Sequence, residues 1–96
     1  MTVVLSQRAS HDLDSQIQYL IDQQAARAAR RLHARVITFL RQTLATHPHI
    51  GIEVEHRDLR ELWIPGTKFV IWYRVNDQTI EIARLWHTSQ DRQTAP

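Results

Sequence analysis

Residues 59–87, LRELWIPGTKFVIWYRVNDQTIEIARLWH, leave this chain few folds to choose from. Three runs rich in β-branched and aromatic side chains are separated by two tight connections, Pro65-Gly66 and Asn76-Asp77-Gln78. Such runs form strands because their side chains fill a pleated, half-buried surface. All three tryptophans lie in this stretch. Any functional site is expected on the same sheet.

The turns decide which side chains share a face. Pro-Gly suits a type II turn, which matches the twist of a two-residue hairpin poorly. A four-residue loop over 65–68 pairs Ile64 with Phe69. A loop over 76–79, or a two-residue loop within it, pairs Val75 with Ile80 and sets Arg74 opposite Glu81, a favourable cross-strand pair. A three-residue loop would flip the last strand.

In the expected register one face carries Leu62, Ile64, Phe69, Ile71, Tyr73, Val75, Ile80 and Ile82 through its middle, with Arg60, Arg84 and Trp86 towards its ends. That face receives the helices. The other carries Leu59, Glu61, Trp63, Val70, Trp72, Arg74, Glu81, Ala83, Leu85 and His87. It is too apolar for free solvent and too charged for a core. A large contiguous apolar patch marks an interaction site, and tryptophan is enriched where binding energy concentrates. Either a partner covers this face, or the loop over 47–57 or the C-terminal residues 88–96 do.

The first half of the chain is helical. Val3, Val4 and Leu5 form a short strand, and the Ser6 hydroxyl is placed to cap a following helix. Ala9, Leu13, Ile17, Leu20 and Ile21 recur at helical spacing. Asp22, Gln23 and Gln24 turn the chain. Ala26, Ala29, Leu32, Val36, Phe39 or Leu40, and Thr43 or Leu44 mark the inner face of a second helix, which stops near His47 because Pro48 disfavours helical geometry before it. Two amphipathic helices in succession form an αα-hairpin, and Ala25, Ala26 and Ala29 allow the helices to approach closely. Ile50, Ile52 and Val54 alternate with Gly51, Glu53 and Glu55 as a short exposed strand.

Composition narrows the class further. With 96 residues, 43% hydrophobic and 23% charged, the chain is expected to be one domain over 1–96 with one core. No apolar run suffices to span a bilayer, and neither a signal peptide nor a membrane partner is expected. The absence of cysteine rules out disulfides, thiolate metal sites and a cysteine nucleophile. A cytoplasmic protein without cofactors is expected. His47, His49 and His56 show no metal-ligand spacing, so no metal is expected either. Between residues 25 and 46 stand Arg27, Arg30, Arg31, Arg35 and Arg41 with no acid. They form a basic patch suited to phosphate or an acidic partner, or a solvated face whose stems shield the core.

Catalytic groups are sparse. The expected register brings Glu61, Arg74, Glu81 and His87 to one face, where a carboxylate, a guanidinium and an imidazole suit RNA cleavage. Equally, Arg74 pairs with Glu81 and His87 ends a strand.

Several motifs in order carry a family resemblance: LSQRASHDLDSQIQYL at 5–20, the P-x-x-G of 48–51, LREL at 59–62, FVIWYRV at 69–75 and IEIARLWH at 80–87. Strand, αα-hairpin and antiparallel sheet in this sequence resemble the RelE/ParE superfamily of bacterial type II toxins. The resemblance implies an α+β fold with the N-terminal strand and αα-hairpin on one face of a mainly antiparallel β-sheet. It further implies a cognate antitoxin partner, with operator DNA met only through that antitoxin. RelE-like members cleave mRNA on the ribosome; ParE-like members inhibit DNA gyrase. Ribonuclease members often have Arg where this chain has Val70, and Tyr where it has Thr88. HDL-x3-I-x-Y-L (residues 11–20) and LREL are more similar to the ParE side, so gyrase is the expected target. The family's working surface maps to Leu59, Glu61, Trp63, Trp72, Arg74, His87 and, in the tail, Arg92. The nuclease alternative would use Glu61, Arg74 and His87. The antitoxin is expected to bury Trp63 or Trp72, or to cross the helical hairpin with the arginines meeting its acids.

Overall fold

The computed structural model describes residues 1–88. Strand β1 (Thr2–Leu5) leads into helices α1 (Gln7–Asp22) and α2 (Ala26–Thr38), and a π-helical segment (Phe39–Leu44) prolongs α2. Strands β2 (Ile52–Glu53), β3 (Arg60–Trp63), β4 (Phe69–Asn76) and β5 (Thr79–His87) follow. The sheet order is β1-β5-β4-β3-β2, antiparallel except where β1 runs parallel beside β5. Both helices lie on one face. This is the α+β arrangement expected.

Both hairpin registers agree with expectation. Ile64 N–H donates to Phe69 O at 2.9 Å, and Thr67 N–H to Ile64 O at 3.2 Å. Gly66 sits at φ +76° in the third position of that turn, as a type II turn requires. Asn76 pairs with Thr79 and Val75 with Ile80.

The core repeats the helical spacing on one side and strand alternation on the other. Ala9, Leu13, Val36, Leu40 and Leu44 close over Ile64, Phe69, Ile71, Tyr73, Ile80 and Ile82. Val36, Leu40 and Leu44 are spaced by four, which drifts around an α-helix by roughly 40° per step. The wider turn of the π-helix offsets that drift, and all three stay buried.

The last strand departs from the expected alternation. Trp72 pairs with Arg84 but Tyr73 with Ile82, so Ala83 is the extra residue of a β-bulge. β1 accounts for it. Ser6 N–H donates to Ile82 O at 2.9 Å while its hydroxyl donates to the next carbonyl, Ala83 O, at 2.9 Å. The Ser6 Oγ itself accepts from Ala9 N–H at 3.0 Å as the N-cap of α1. Beyond the end of β1, Asp12 of α1 takes over the edge of β5. Its carboxylate accepts from Leu85 N–H at 3.0 Å and from Arg84 Nε at 2.8 Å.

Everything past Ala83 therefore exchanges faces. Leu85 joins the helix-side core, and His87 lies edge-on to Phe69 at 5.2 Å. Trp86 crosses to the far face against Trp72 and Val70. The expected positions of Leu85, His87 and Trp86 are thus corrected.

A second lock holds the loop before β3. The Tyr73 hydroxyl donates to Pro48 O at 2.8 Å and accepts from Gly51 N–H at 2.9 Å. A Cβ at Gly51 would lie 2.7 Å from that hydroxyl and 3.0 Å from Glu61 O, which explains the glycine of P-x-x-G. Arg60 Nη1 donates to Gly51 O at 2.8 Å and to His49 O at 3.2 Å. Burial pushes the Tyr73 phenol above its ordinary pKa, against opposing contributions from the Gly51 N–H and Arg60.

Two stability predictions result. Asp12→Ala strands the Leu85 N–H and the Arg84 guanidinium, and should lower unfolding free energy by about 3 kcal/mol in urea titrations. Tyr73→Phe leaves the buried Gly51 N–H and the partly buried Pro48 carbonyl without their partner, a loss of about 1–3 kcal/mol by the same measurement. Because the folded phenol holds its proton to higher pH than the unfolded one, its contribution is intact below about pH 10 and falls as pH rises through the folded pKa. Tyr73→Phe should flatten this alkaline loss; an unchanged slope would exclude Tyr73 as its source.

Candidate functional site

The sheet face away from the helices is built around two indoles. Trp72 and Trp86 meet edge-to-face with centroids 5.3 Å apart, over Val70. Such pairs stabilise by about 0.5–1.5 kcal/mol beyond area burial. Val54 and Leu59, at the base of the β2–β3 connection, pack on the pair. The connection bends back at His56, φ +62°, and Val54 N–H donates to Leu59 O at 2.9 Å. Its Arg57 guanidinium sits 5.1 Å from the Trp72 ring centre. As a result Trp72 and Trp86 are each only 8% exposed.

The residues picked from the sequence divide into three groups. Leu59, Glu61, Trp72 and Arg74 do share this face, but they are mutually engaged. Glu61 accepts from the Trp72 indole N–H at 2.8 Å, and Arg74 Nη1 donates to Glu81 at 2.6 Å. Trp63 stands apart at the end of β3, 53% exposed, and Ile52 is 78% exposed on the neighbouring edge strand. Ile52 pairs with Glu61, which places it on the same face.

His87 belongs to neither group. The bulge sends it to the helix side, where it lines a small cavity of about 180 Å³ with Gln16, Tyr19, Leu20, Leu32 and Phe69. The sheet itself separates it from Glu61 and Arg74. The expected convergence of carboxylate, guanidinium and imidazole is therefore corrected. An acid and a base must reach the same reacting atom, and these cannot. Arg92 lies outside the described residues.

Trp86, Arg57 and Val54 are the members of this face not anticipated as site residues. One signal for Trp86 existed. Ile80, Ile82 and Leu85 break the two-residue period between 82 and 85.

The arginines of the basic patch, Arg27, Arg30, Arg31 and Arg35, are all exposed on α2. The wide cleft beside the β2–β3 connection, about 770 Å³, mixes Glu53, Glu55 and Asp58 with Arg57, Arg60 and Arg74. Among the described residues no group of three or more His, Asp or Glu is placed to hold a metal ion. No helix among the described residues is long and apolar enough to cross a membrane.

Comparison with known proteins gives this geometry a context. A family model described as the ParE toxin of the type II toxin-antitoxin system parDE matches residues 3–92. No curated protein matches the chain. A chain of the chromosomal ParDE toxin-antitoxin system from P. aeruginosa is 20% identical, with 93% of this chain and 97% of that chain covered and a TM-score of 0.74. A chain of the toxin-antitoxin complex RelBE2 from Mycobacterium tuberculosis is 24% identical, with 90% and 95% covered and a TM-score of 0.65. At these identities the two structures speak to the fold alone.

Proposed function

The chain belongs to the ParE toxin family of type II toxin-antitoxin systems, and from that premise we propose a toxin that binds DNA gyrase rather than one that turns over a substrate. A cognate antitoxin neutralises it. The reading is carried by the separation of His87 from Glu61 and Arg74 across the sheet, together with a family match spanning residues 3–92. Glu61 and Arg74 already serve Trp72 and Glu81. Binding needs an accessible anchor, and the exposed Trp63 beside Ile52 supplies one. Trp72 is covered by the 54–59 loop, to which Leu59 belongs, and is not available to a partner unless that loop is displaced.

The ribonuclease alternative has a likeness to a RelBE2 chain in its favour, but that likeness extends to the fold only. Its acid–base groups would have to come from residues other than the trio expected from the sequence.

Purified gyrase assayed with a stoichiometric excess of the toxin should lose supercoiling activity and accumulate trapped cleavage complexes. Undiminished supercoiling would sink the gyrase target. On induction in cells, messages should remain uncut within their codons, and His87→Ala should leave growth arrest in place. Antitoxin binding should shift the indole emission of the parent to the blue, and Trp63→Phe should remove most of that shift because Trp72 and Trp86 are already dry. A full shift in the Trp63→Phe complex would move the contact elsewhere.

A further inference from the structure

Apart from Arg8 on α1 and Arg41 in the π-helical segment, the arginines among the described residues fall into two populations. Those attached to the sheet and its loops are occupied: Arg57 with Trp72, Arg60 with loop carbonyls and Glu53, Arg74 with Glu81, and Arg84 with Asp12. Those on α2 make no ion pair or hydrogen bond within the described residues. They cannot do so locally, since no acid stands between residues 25 and 46.

That arrangement works against the helix that carries it. Arg27, Arg31 and Arg35 repeat every four residues, and like charges at that spacing repel. The first turn of α2 has no acidic residue and its N-cap, Ala25, makes no side-chain hydrogen bond. Arg27 instead brings a positive charge to the positive end of the helix dipole. The alanines of α2, its buried face and Arg35 in its last turn hold the helix, but no acid among the described residues balances the charge of its arginines. Compensation from outside is the physical reading.

Geometry selects the kind of partner. At roughly 100° per residue, Arg27, Arg30, Arg31 and Arg35 fall within an arc of about 140°, centred opposite the buried Ala29 and Val36. Ala34 and, at the end of α2, Thr38 are the other residues within this arc, so the middle of the face offers charge and almost no apolar anchor. Two grooves border the row: Arg31 and Arg35 line one with Phe39 and Pro65, Arg30 lines the other with Ile17 and Ile21, and Arg27 lines neither, so apolar contact is offered only along the edges of the charged face. A protein segment needs such anchors in the middle of its footprint. A phosphate backbone needs only charge. The guanidinium fork also suits phosphate oxygens. Arg27 to Arg35 spans about 12 Å along the helix axis. Duplex DNA presents one charge per about 1.7 Å of its axis, so all three arginines of the row have phosphates within reach.

We propose that the outer face of α2 is a sequence-independent docking site for the phosphate backbone of duplex DNA, with Arg27, Arg31 and Arg35 as its contacts and Arg30 beside them. The family resemblance implies that operator DNA is met through the antitoxin. This face adds a direct contact from the toxin, and it does not depend on gyrase being the target.

The experiment measures binding of the full chain to a fluorescent 30-base-pair duplex of arbitrary sequence across a salt series. Three phosphate contacts predict a slope of log affinity against log salt of about −2.7, or roughly a 40-fold loss between 50 and 200 mM salt. Each single Arg→Gln substitution should flatten the slope by about 0.9. R27Q/R31Q/R35Q should abolish binding while leaving the thermal midpoint equal or raised, because like-charge repulsion is relieved. The proposal is overturned by an absence of binding at 50 mM salt, by unchanged affinity in the triple variant, or by a salt-insensitive affinity. A poly-glutamate peptide that binds the parent through these arginines while the duplex does not would overturn it in favour of an acidic protein partner.

Discussion

The Asp12 carboxylate on the open edge of β5 is the contact on which the arrangement of both sheet faces depends. β1 is four residues long and leaves the second half of β5 without a neighbouring strand. An open edge exposes backbone donors, and proteins cover or cap such edges. Here the first turns of α1 do so, with Ser6 serving Ile82 and Ala83 and Asp12 serving Leu85. To accept these bonds β5 takes in one extra residue. A single inserted residue reverses every side chain beyond it, and so one carboxylate on a helix determines that His87 faces the helices and Trp86 faces away.

That exchange gives the far face its character. With His87 in place of Trp86 it would be a face of scattered charges around Trp72, with Trp63 at its rim. With Trp86 it has an apolar pair that anchors the 54–59 loop, and the loop in turn rests on the Tyr73 and Arg60 contacts to residues 48–51. The face is thus a small second core with Trp63 left out at its rim. Such a surface is suited to rigid recognition. Its charged groups stabilise one another, and general acid–base catalysis requires a group held ready for the substrate instead.

Most of the fold could be read from residues that act locally. Ser6 as a cap, the break at Gln23 and Gln24, Gly66 in its turn and the Arg74–Glu81 pair each depend on near neighbours in sequence or on a turn of known length. The bulge depends on Asp12, 73 residues from the Leu85 amide it binds, and no local preference reports such a contact. The interval from Ile82 to Leu85 did carry a trace of it. Regular alternation through Arg84 and Trp86 fits the same residues equally well, since an aromatic ring is as welcome in a core as a leucine. The candidate site suffered more than the fold for this reason: a one-residue change of register leaves the strands in place and moves the chemistry.

The two arginine populations follow from the same topology. Charge pairs between neighbouring strands add stability at modest scale, as for Arg74 with Glu81 and Arg60 with Glu53, while Arg84 on the open edge of β5 is paired by Asp12 of α1. The outer face of α2 has no acidic neighbour among the described residues, and only Arg35 reaches the sheet, where its guanidinium lies against Gly66 of the β3–β4 turn. Acids at positions three or four along the helix would have been the only local remedy, and alanines occupy Ala28 and Ala34 where they could have stood. The unbalanced charge of the chain therefore collects on a surface that the fold cannot use internally, opposite the face that packs the core and away from the tryptophans. A molecule arranged this way can engage a protein with its sheet and a polyanion with its helix at the same time, since neither surface shares a side chain with the other.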